Sequence, residues 1–363
     1  MKVVFASLPA YGHLYPMVPL AVACAAAGHE VTVATGEPFL DALPVPTARG
    51  VAAGANLRGV EDETRRNHPS LPDGPELAAY LFGETTVRLM APELRAVFER
   101  ERPDLVVHDV MTLGAPVAAA RLGIPAVAFG IGLWSPLYAH IYEVAGANPA
   151  LPGGYLDPIP PSVQSPVPLP ATRRPIRPVA WAPDAPLPAW LPGSPRRRVY
   201  VTLGTVAYGA VEVLRRAVLA TAGHDVDVLV AVGPAGDPAL LGELPPNVHV
   251  EKFVPQAEVL RHVDLVVHHG GAGTMLSTLA EGLPQLILPQ GADQPFNAMA
   301  VERAGAGRGL PGDAQTPAAL AEAVGALLAD GPERLAAKKI AAEIAAMPAP
   351  ETLATEGGLS PVP

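Results

Sequence analysis

The sequence predicts an α/β protein made of two parallel-sheet domains, and three observations carry that expectation. Short apolar runs alternate with helical patterns over residues 1–130. The same rhythm restarts at Arg198. Between them, residues 151–195 hold 14 of the chain's 44 prolines, so that stretch cannot sustain helices and reads as an extended connector.

Taken in order, Val3–Leu8 reads as a strand buried on both faces, Leu14–Ala27 as a helix with Gly28 after its end, and Val31–Ala34 as the next strand. Segment Pro44–Pro75 carries several glycines and a charged patch from Glu61 to Arg66, and reads as an irregular surface loop. Strand Asp104–His108, helix Leu113–Leu122 and strand Ala126–Phe129 follow. Part of the proline-rich stretch is expected to pack on a domain surface, because it is long for a bare linker. In the second half, Val199–Leu203, Val226–Ala231, Val248–Lys252, Leu265–His268 and Gln285–Leu288 read as strands. Val211–Thr221, Thr274–Gly282 and Gln294–Gly305 read as helices. The reading therefore places an N-terminal domain at residues 1–170, a proline-rich linker at 171–195, a second domain at 196–345 and a tail at 346–363.

Composition narrows the function. The chain has 363 residues, of which 49% are apolar and 17% charged, enough for two sizeable cores. A net charge of −10 argues against nucleic acid as a partner, since phosphate backbones demand a basic face. The lone Cys24 excludes a disulfide framework and reads as a buried small hydrophobe. Pro9, Gly12 and Pro16 break the apolar start, and no run approaches the roughly 20 apolar residues of a membrane helix. A cytoplasmic setting without stable membrane insertion is the expectation. A homodimer is compatible with this composition.

The most informative stretch is Val266-Val267-His268-His269-Gly270-Gly271-Ala272-Gly273-Thr274, where a buried strand gives way to a helix. Glycines let the backbone approach a ligand, and a helix N-terminus offers unpaired N–H groups and partial positive charge, so the turn suits a phosphate. His269 is placed to add a charge-assisted hydrogen bond. A plain strand-to-helix turn without ligand is the bland alternative. Asp293 and Gln294, after another buried strand, suit sugar hydroxyls, and Asp293 is also placed to cap a helix. In the first half, His13 follows the first strand at the head of a helix, where the dipole favours the neutral ring that a general base requires. Asp109 ends a later strand and could orient it, or merely cap the next helix. His29 reads as structural. His268-His269 is too close along a strand end to make a metal site alone.

The run Phe253–Ala298 resembles the nucleotide-sugar signature of family-one glycosyltransferases of the GT-B fold, in which two Rossmann-like α/β domains face each other across a cleft. It is most similar to bacterial enzymes that decorate enediyne, macrolide and aromatic polyketide antibiotics, and the likeness extends from Gly12-His13 to Met347-Pro348-Ala349-Pro350. The resemblance implies an inverting transfer of a sugar from a nucleotide-sugar to a small-molecule aglycone, with no cofactor and no metal. It assigns His13 as base and Asp109 as its orienting carboxylate. His269, Gly270, Gly271, Gly273 and Thr274 would hold the diphosphate. Phe253, Val254 and Gln256 would meet the base and ribose, Asp293 and Gln294 the sugar, and Thr205 the donor at the start of the second domain. Plant relatives carry a ribose-binding glutamate where Ser277 stands here, which is compatible with a deoxyribose donor such as a dTDP-sugar.

Two rivals stay open at this point: an epimerase of the same two-domain plan, and a non-catalytic relative that assists a partner. A Rossmann dehydrogenase does not, because no G-x-G-x-x-G follows the first strand. In relatives a final helix runs back across the first domain. Here Gly357, Gly358, Pro361 and Pro363 predict that it is shortened or disordered.

Overall fold

A computed structural model describes residues 1–52, 55–148, 151, 153–204, 211–233, 236–355 and 358–359. The chain forms two compact units. The first comprises Met1–Ile159, Ser165–Arg177 and Met347–Pro363, and the second Pro160–Gln164 and Pro178–Ala346.

Among the described residues, the first unit holds seven parallel strands: β1 (Lys2–Ala6), β2 (Glu30–Thr35), β3 (Thr47–Arg49), β4 (Leu105–Asp109), β5 (Ala126–Phe129), β6 (Tyr155–Asp157) and β7 (Arg173–Pro175). They lie in the order β3-β2-β1-β4-β5-β6-β7. The second unit holds six: β8 (Arg197–Thr202), β9 (Val226–Ala231), β10 (Val248–Glu251), β11 (Leu265–His268), β12 (Gln285–Ile287) and β13 (Gly307–Gly309), in the order β10-β9-β8-β11-β12-β13. Each sheet therefore has a topological switch point, between β1 and β4 in one and between β8 and β11 in the other. Open α/β sheets bind ligands there, beyond the carboxyl ends of the strands.

The unbroken apolar runs follow from burial on both sheet faces. In the second unit Val199, Val201, Leu265 and Val267 enter a core with Leu320 and Val324. Their neighbours Tyr200 and Val266 enter the opposite core with Val259 and Leu260. Leu187, Trp190 and Leu191 of the proline-rich stretch pack on that second core, and Trp190 stacks on His249 with ring centroids 4.0 Å apart. Cys24 is fully buried.

Two sequence expectations are corrected. Residues 44–75 are not a loop throughout: Thr47–Arg49 is the edge strand and Leu57–Asn67 is a helix. The helix is capped by Asn56, whose side chain accepts from the Gly59 N–H at 2.9 Å, and anchored by buried Val60 and Thr64. Its polar face and Gly59 hid it from a periodicity argument. Second, the linker begins later than read, because Arg173–Pro175 pairs with β6 as a strand of the first sheet. The tail keeps a short helix, Pro350–Thr355, the shortened alternative of the two expected, and it packs on helix Val18–Ala26 and buries Leu353 and Ala354. His29 secures it, with Nε2 donating to the Ala354 carbonyl at 2.8 Å and Nδ1 3.2 Å from the N-terminal amine. Among the described residues no helix is long and apolar enough to cross a membrane.

Candidate active site

At the first switch point the chain leaves β1 through Ser7–Ala10 and enters a four-residue helix, Tyr11–Leu14. His13 is its third residue, in the first turn of a helical run that continues through Tyr15–Met17 into helix Val18–Ala26, and Asp109 orients its ring. His13 Nδ1 lies 3.1 Å from Asp109 Oδ1 at the end of β4. A carboxylate only accepts, so Nδ1 carries the proton and Nε2 is left as the basic nitrogen. The ring of Phe82 lies 5.9 Å away, centroid to centroid, on a π-helical turn, Leu81–Thr85.

Asp109 is fully buried and densely bonded. Oδ1 also accepts from the Met111 N–H at 2.9 Å, and Oδ2 accepts from the Thr112 hydroxyl and from the Leu8 N–H at 3.3 Å. Burial by itself would raise the carboxyl pKa. The charge of His13 and the bonds from His13, Thr112 and Met111 outweigh it and hold the group below the usual carboxylate range. Neighbouring His108 is turned to the Asp109 backbone carbonyl, 2.8 Å from Nδ1, and burial pushes its pKa down. Thr112 was not read from the sequence, although a hydroxyl three residues after an aspartate is a recognisable local bonding pattern.

At the second switch point β11 ends in His268, and helix Ala272–Ala280 begins with Gly271 as its N-cap, two residues earlier than expected. The first helical bond runs from Met275 N to Gly271 O. The N–H groups of Ala272, Gly273 and Thr274 thus precede the hydrogen-bonded ladder, the arrangement that suits a phosphate at a helix N-terminus. His269 lies against two glycines: a Cβ on Gly204 would stand 2.5 Å from its Cε1, and one on Gly271 2.6 Å from its Nε2. Its Nδ1 is buried with no partner among the described residues. Such an orphan, beside a glycine cradle that a side chain would fill, fits a site waiting for a polar ligand. Burial pushes the His269 pKa down to about 4. The ring is therefore neutral near pH 7, and a hydrogen bond from it to an ionised phosphate would be charge-assisted through the acceptor.

Other site residues divide by their contacts. Phe253 is 41% exposed, an unusual state for a phenyl ring and a suitable one for stacking a base. Val254 is buried in the core, so only its backbone can meet a ligand. Gln256 bonds to the helix, with Nε2 3.1 Å from Ser277 Oγ and Oε1 3.4 Å from Thr274 Oγ1. Ser277 is buried and returns its hydroxyl to the Gly273 carbonyl at 2.8 Å. Asp293 is exposed at the start of helix Gln294–Arg303. Two residues are also bonded within the loop itself. Gln294 is buried, and its Oε1 accepts from the N–H groups of Gln290 at 2.7 Å and Gly291 at 3.2 Å, so it shapes the loop. Gly270 shapes the loop as well, because its N–H is committed to His268 Nδ1 at 3.1 Å. Thr205 lies outside the described residues. Among the described residues no group of three or more His, Cys, Asp or Glu could hold a metal ion.

Met111 and Tyr138 belong to the first unit's buried core, Phe82 and Trp134 pack against it, and Leu133 is buried.

With this geometry in view, the comparisons with known proteins agree on a class. Residues 216–357 match the model for the C-terminal domain of erythromycin biosynthesis protein CIII-like proteins. The L-demethylnoviosyl transferase of Streptomyces niveus is 36% identical over 375 residues, covering 98% of this chain and 97% of that protein. The elloramycin glycosyltransferase of Streptomyces olivaceus is 36% identical over 391 residues, covering 98% and 96%. A spinosyn rhamnosyltransferase solved with thymidine diphosphate superposes with a TM-score of 0.83 at 29% identity, over 99% of this chain and all (100%) of that one. The protein is a glycosyltransferase of the GT-B class. Within that class it belongs to the family of antibiotic glycosyltransferases, whose members transfer sugars to macrolide and aromatic polyketide aglycones.

Proposed function

We propose that this glycosyltransferase moves a deoxysugar from a dTDP-sugar to a hydroxyl of a natural-product aglycone in one inverting displacement. The observation that carries the reading is the pair His13–Asp109 at one switch point, 3.1 Å apart, with Asp109 buried and held ionised. His13 Nε2 takes the acceptor hydroxyl proton as the oxygen attacks the anomeric carbon. The new carbon–oxygen bond forms as the bond to the diphosphate breaks, and inversion follows from in-line attack. Asp109 fixes the tautomer and stabilises the imidazolium as it forms.

The leaving diphosphate takes up its charge against the N–H groups of Ala272, Gly273 and Thr274 and against His269, with Gly271 leaving room for it. This donor set meets the leaving charge without a role for a metal. Phe253 stacks the base, and Asp293 accepts from sugar hydroxyls. Support for the deoxyribose comes from Ser277, whose hydroxyl is spent on the Gly273 carbonyl, where a carboxylate would suit a 2′-hydroxyl. It also comes from a relative solved with thymidine diphosphate.

The test is His13→Ala, assayed for transfer to an aglycone panel and for dTDP binding. Loss of transfer with dTDP affinity kept supports the base assignment. Full transfer by the variant rejects it. A wild-type protein that binds dTDP and dTDP-sugars but turns over with no aglycone points to a non-catalytic relative.

A further inference from the structure

The glycine loop and the sugar-side carboxylate are joined in the second unit by a chain of hydrogen bonds that is buried up to its last link, to the exposed Asp293. It begins at Gln285 on β12, whose Oε1 lies 2.7 Å from His268 Nε2. The other nitrogen, His268 Nδ1, accepts from the Gly270 N–H at 3.1 Å, so the proton resides on Nε2. Gly270 has φ +98°, and a Cβ there would stand 2.7 Å from Ile287 Cγ2, so only glycine fits. Its carbonyl accepts from Asn297 Nδ2 at 2.8 Å, and the second hydrogen of that amide goes to Asp293 Oδ2 at 2.9 Å. Turning the Asn297 amide over would set Oδ1 against a carbonyl and a carboxylate, which fixes its orientation. Gln285, His268 and Asn297 are fully buried, and the Asn297 Oδ1 has no partner among the described residues.

We infer that Asn297 is the positioning residue that holds the phosphate-binding loop and the Asp293 carboxylate in register, so that diphosphate and sugar are recognised as one unit. The inference rests on the donor reading above. Its physical content is that one amide, spending one hydrogen on each side, fixes the Gly270 peptide and one oxygen of Asp293. An asparagine suits this task, and an aspartate does not, because a second carboxylate would repel the first and offer no donor to Gly270. Leucine or alanine would leave the Gly270 carbonyl buried without a donor.

The test is calorimetric titration of wild type, Asn297→Ala, Asn297→Ser, Asp293→Asn and the double variant Asn297→Ser/Asp293→Asn with dTDP and with dTDP-glucose, alongside thermal unfolding. Asn297→Ser keeps one donor and covers the case in which the alanine variant fails to fold. Expected are a fall in dTDP affinity for both Asn297 variants and a further loss of about tenfold for dTDP-glucose relative to dTDP. Asp293→Asn should lose the sugar-dependent part alone, and in its background Asn297→Ser should lose no more of it. A purely structural asparagine would lower the unfolding temperature but leave the dTDP-glucose to dTDP ratio unchanged, and that result overturns the inference. So does an Asp293→Asn variant with an unchanged ratio. Failure of wild type to bind either nucleotide removes the donor reading itself, and the inference with it.

Discussion

Replacing Asp109 by asparagine separates the carboxylate's structural work from its chemical work. The carboxylate accepts four bonds, two on each oxygen: His13 Nδ1 at 3.1 Å and Met111 N at 2.9 Å on Oδ1, Thr112 Oγ1 and Leu8 N at 3.3 Å on Oδ2. With the amide oxygen in place of Oδ1, the first two survive. The amide nitrogen then faces Thr112, whose hydroxyl can rotate to accept. Leu8 N keeps its shorter bond to Thr112 Oγ1 at 2.8 Å. The folded state thus gives up little more than one net hydrogen bond, about 1 kcal/mol. The rate loses more, because a neutral amide accepts from Nδ1–H but does not stabilise an imidazolium. A loss of about 10²- to 10⁴-fold in kcat is expected, or about 3–5 kcal/mol of barrier. The assay is dTDP release from a dTDP-sugar in the presence of acceptor, run beside urea unfolding and dTDP titration. Near-wild-type turnover would refute the reasoning, and so would a collapse in stability that accounts for the lost rate.

Further outcomes follow from the two neutral histidines, the base platform and the tail. Burial lowers the pKa of His269 to about 4; burial, with the charge of His269 and against the Gln285 bond, lowers that of His268 to about 3. The unfolded chain, with histidine near its ordinary value of about 6.5, takes up protons that the folded chain refuses, so stability is full above that pH. It should fall from about pH 6.5 towards pH 4, by about 1.4 kcal/mol per pH unit for each histidine. Urea midpoints between pH 7 and pH 4.5 check this, with a shallower slope expected for His269→Asn; a flat profile contradicts it. Phe253→Ala should weaken dTDP binding by about tenfold or more and leave the unfolding midpoint nearly unchanged, since the ring is 41% exposed. Equal dTDP affinity in the variant would reject the stacking role. Removing residues 347–363 should cost about 3 kcal/mol or more, from the buried Leu353 and Leu359 side chains and the uncovered face of helix Val18–Ala26. An unchanged unfolding midpoint would show that the tail packs without stabilising.

The parts of the fold legible in the sequence were those with one dominant signal. Strands buried on both faces, such as Leu265–His268 and Val226–Ala231, are unbroken apolar runs, and their limits agree with the structure. Helix Leu57–Asn67 was not legible, because its exposed face is polar and the burial of Thr64 depends on a tertiary contact with Thr85. Strand Arg173–Pro175 is three residues long and owes its form to the β6 edge. The tail helix is short and draws its order from His29 and helix Val18–Ala26, which composition cannot register. In the site, the residues that could be read are those whose type announces a chemistry: His13, Asp109, His269 and the glycines. Those that hold them, Thr112, Gln285 and Asn297, are ordinary polar residues whose task appears only when their hydrogen-bond partners are known. The loop bonds of Gln294 were not legible for the same reason, since an amide bonded to its own loop has the same sequence as one that is not.

The measurement that bears most directly on the central claim is parallel titration of the wild-type protein and His269→Ala with dTDP and UDP. The account predicts that wild type binds dTDP in preference to UDP, because Ser277 offers no carboxylate to a 2′-hydroxyl, and that His269→Ala loses affinity for dTDP. Preference for UDP would contradict the donor assignment while leaving the transferase class in place. Undiminished dTDP binding by His269→Ala would contradict the placement of the diphosphate at the glycine loop.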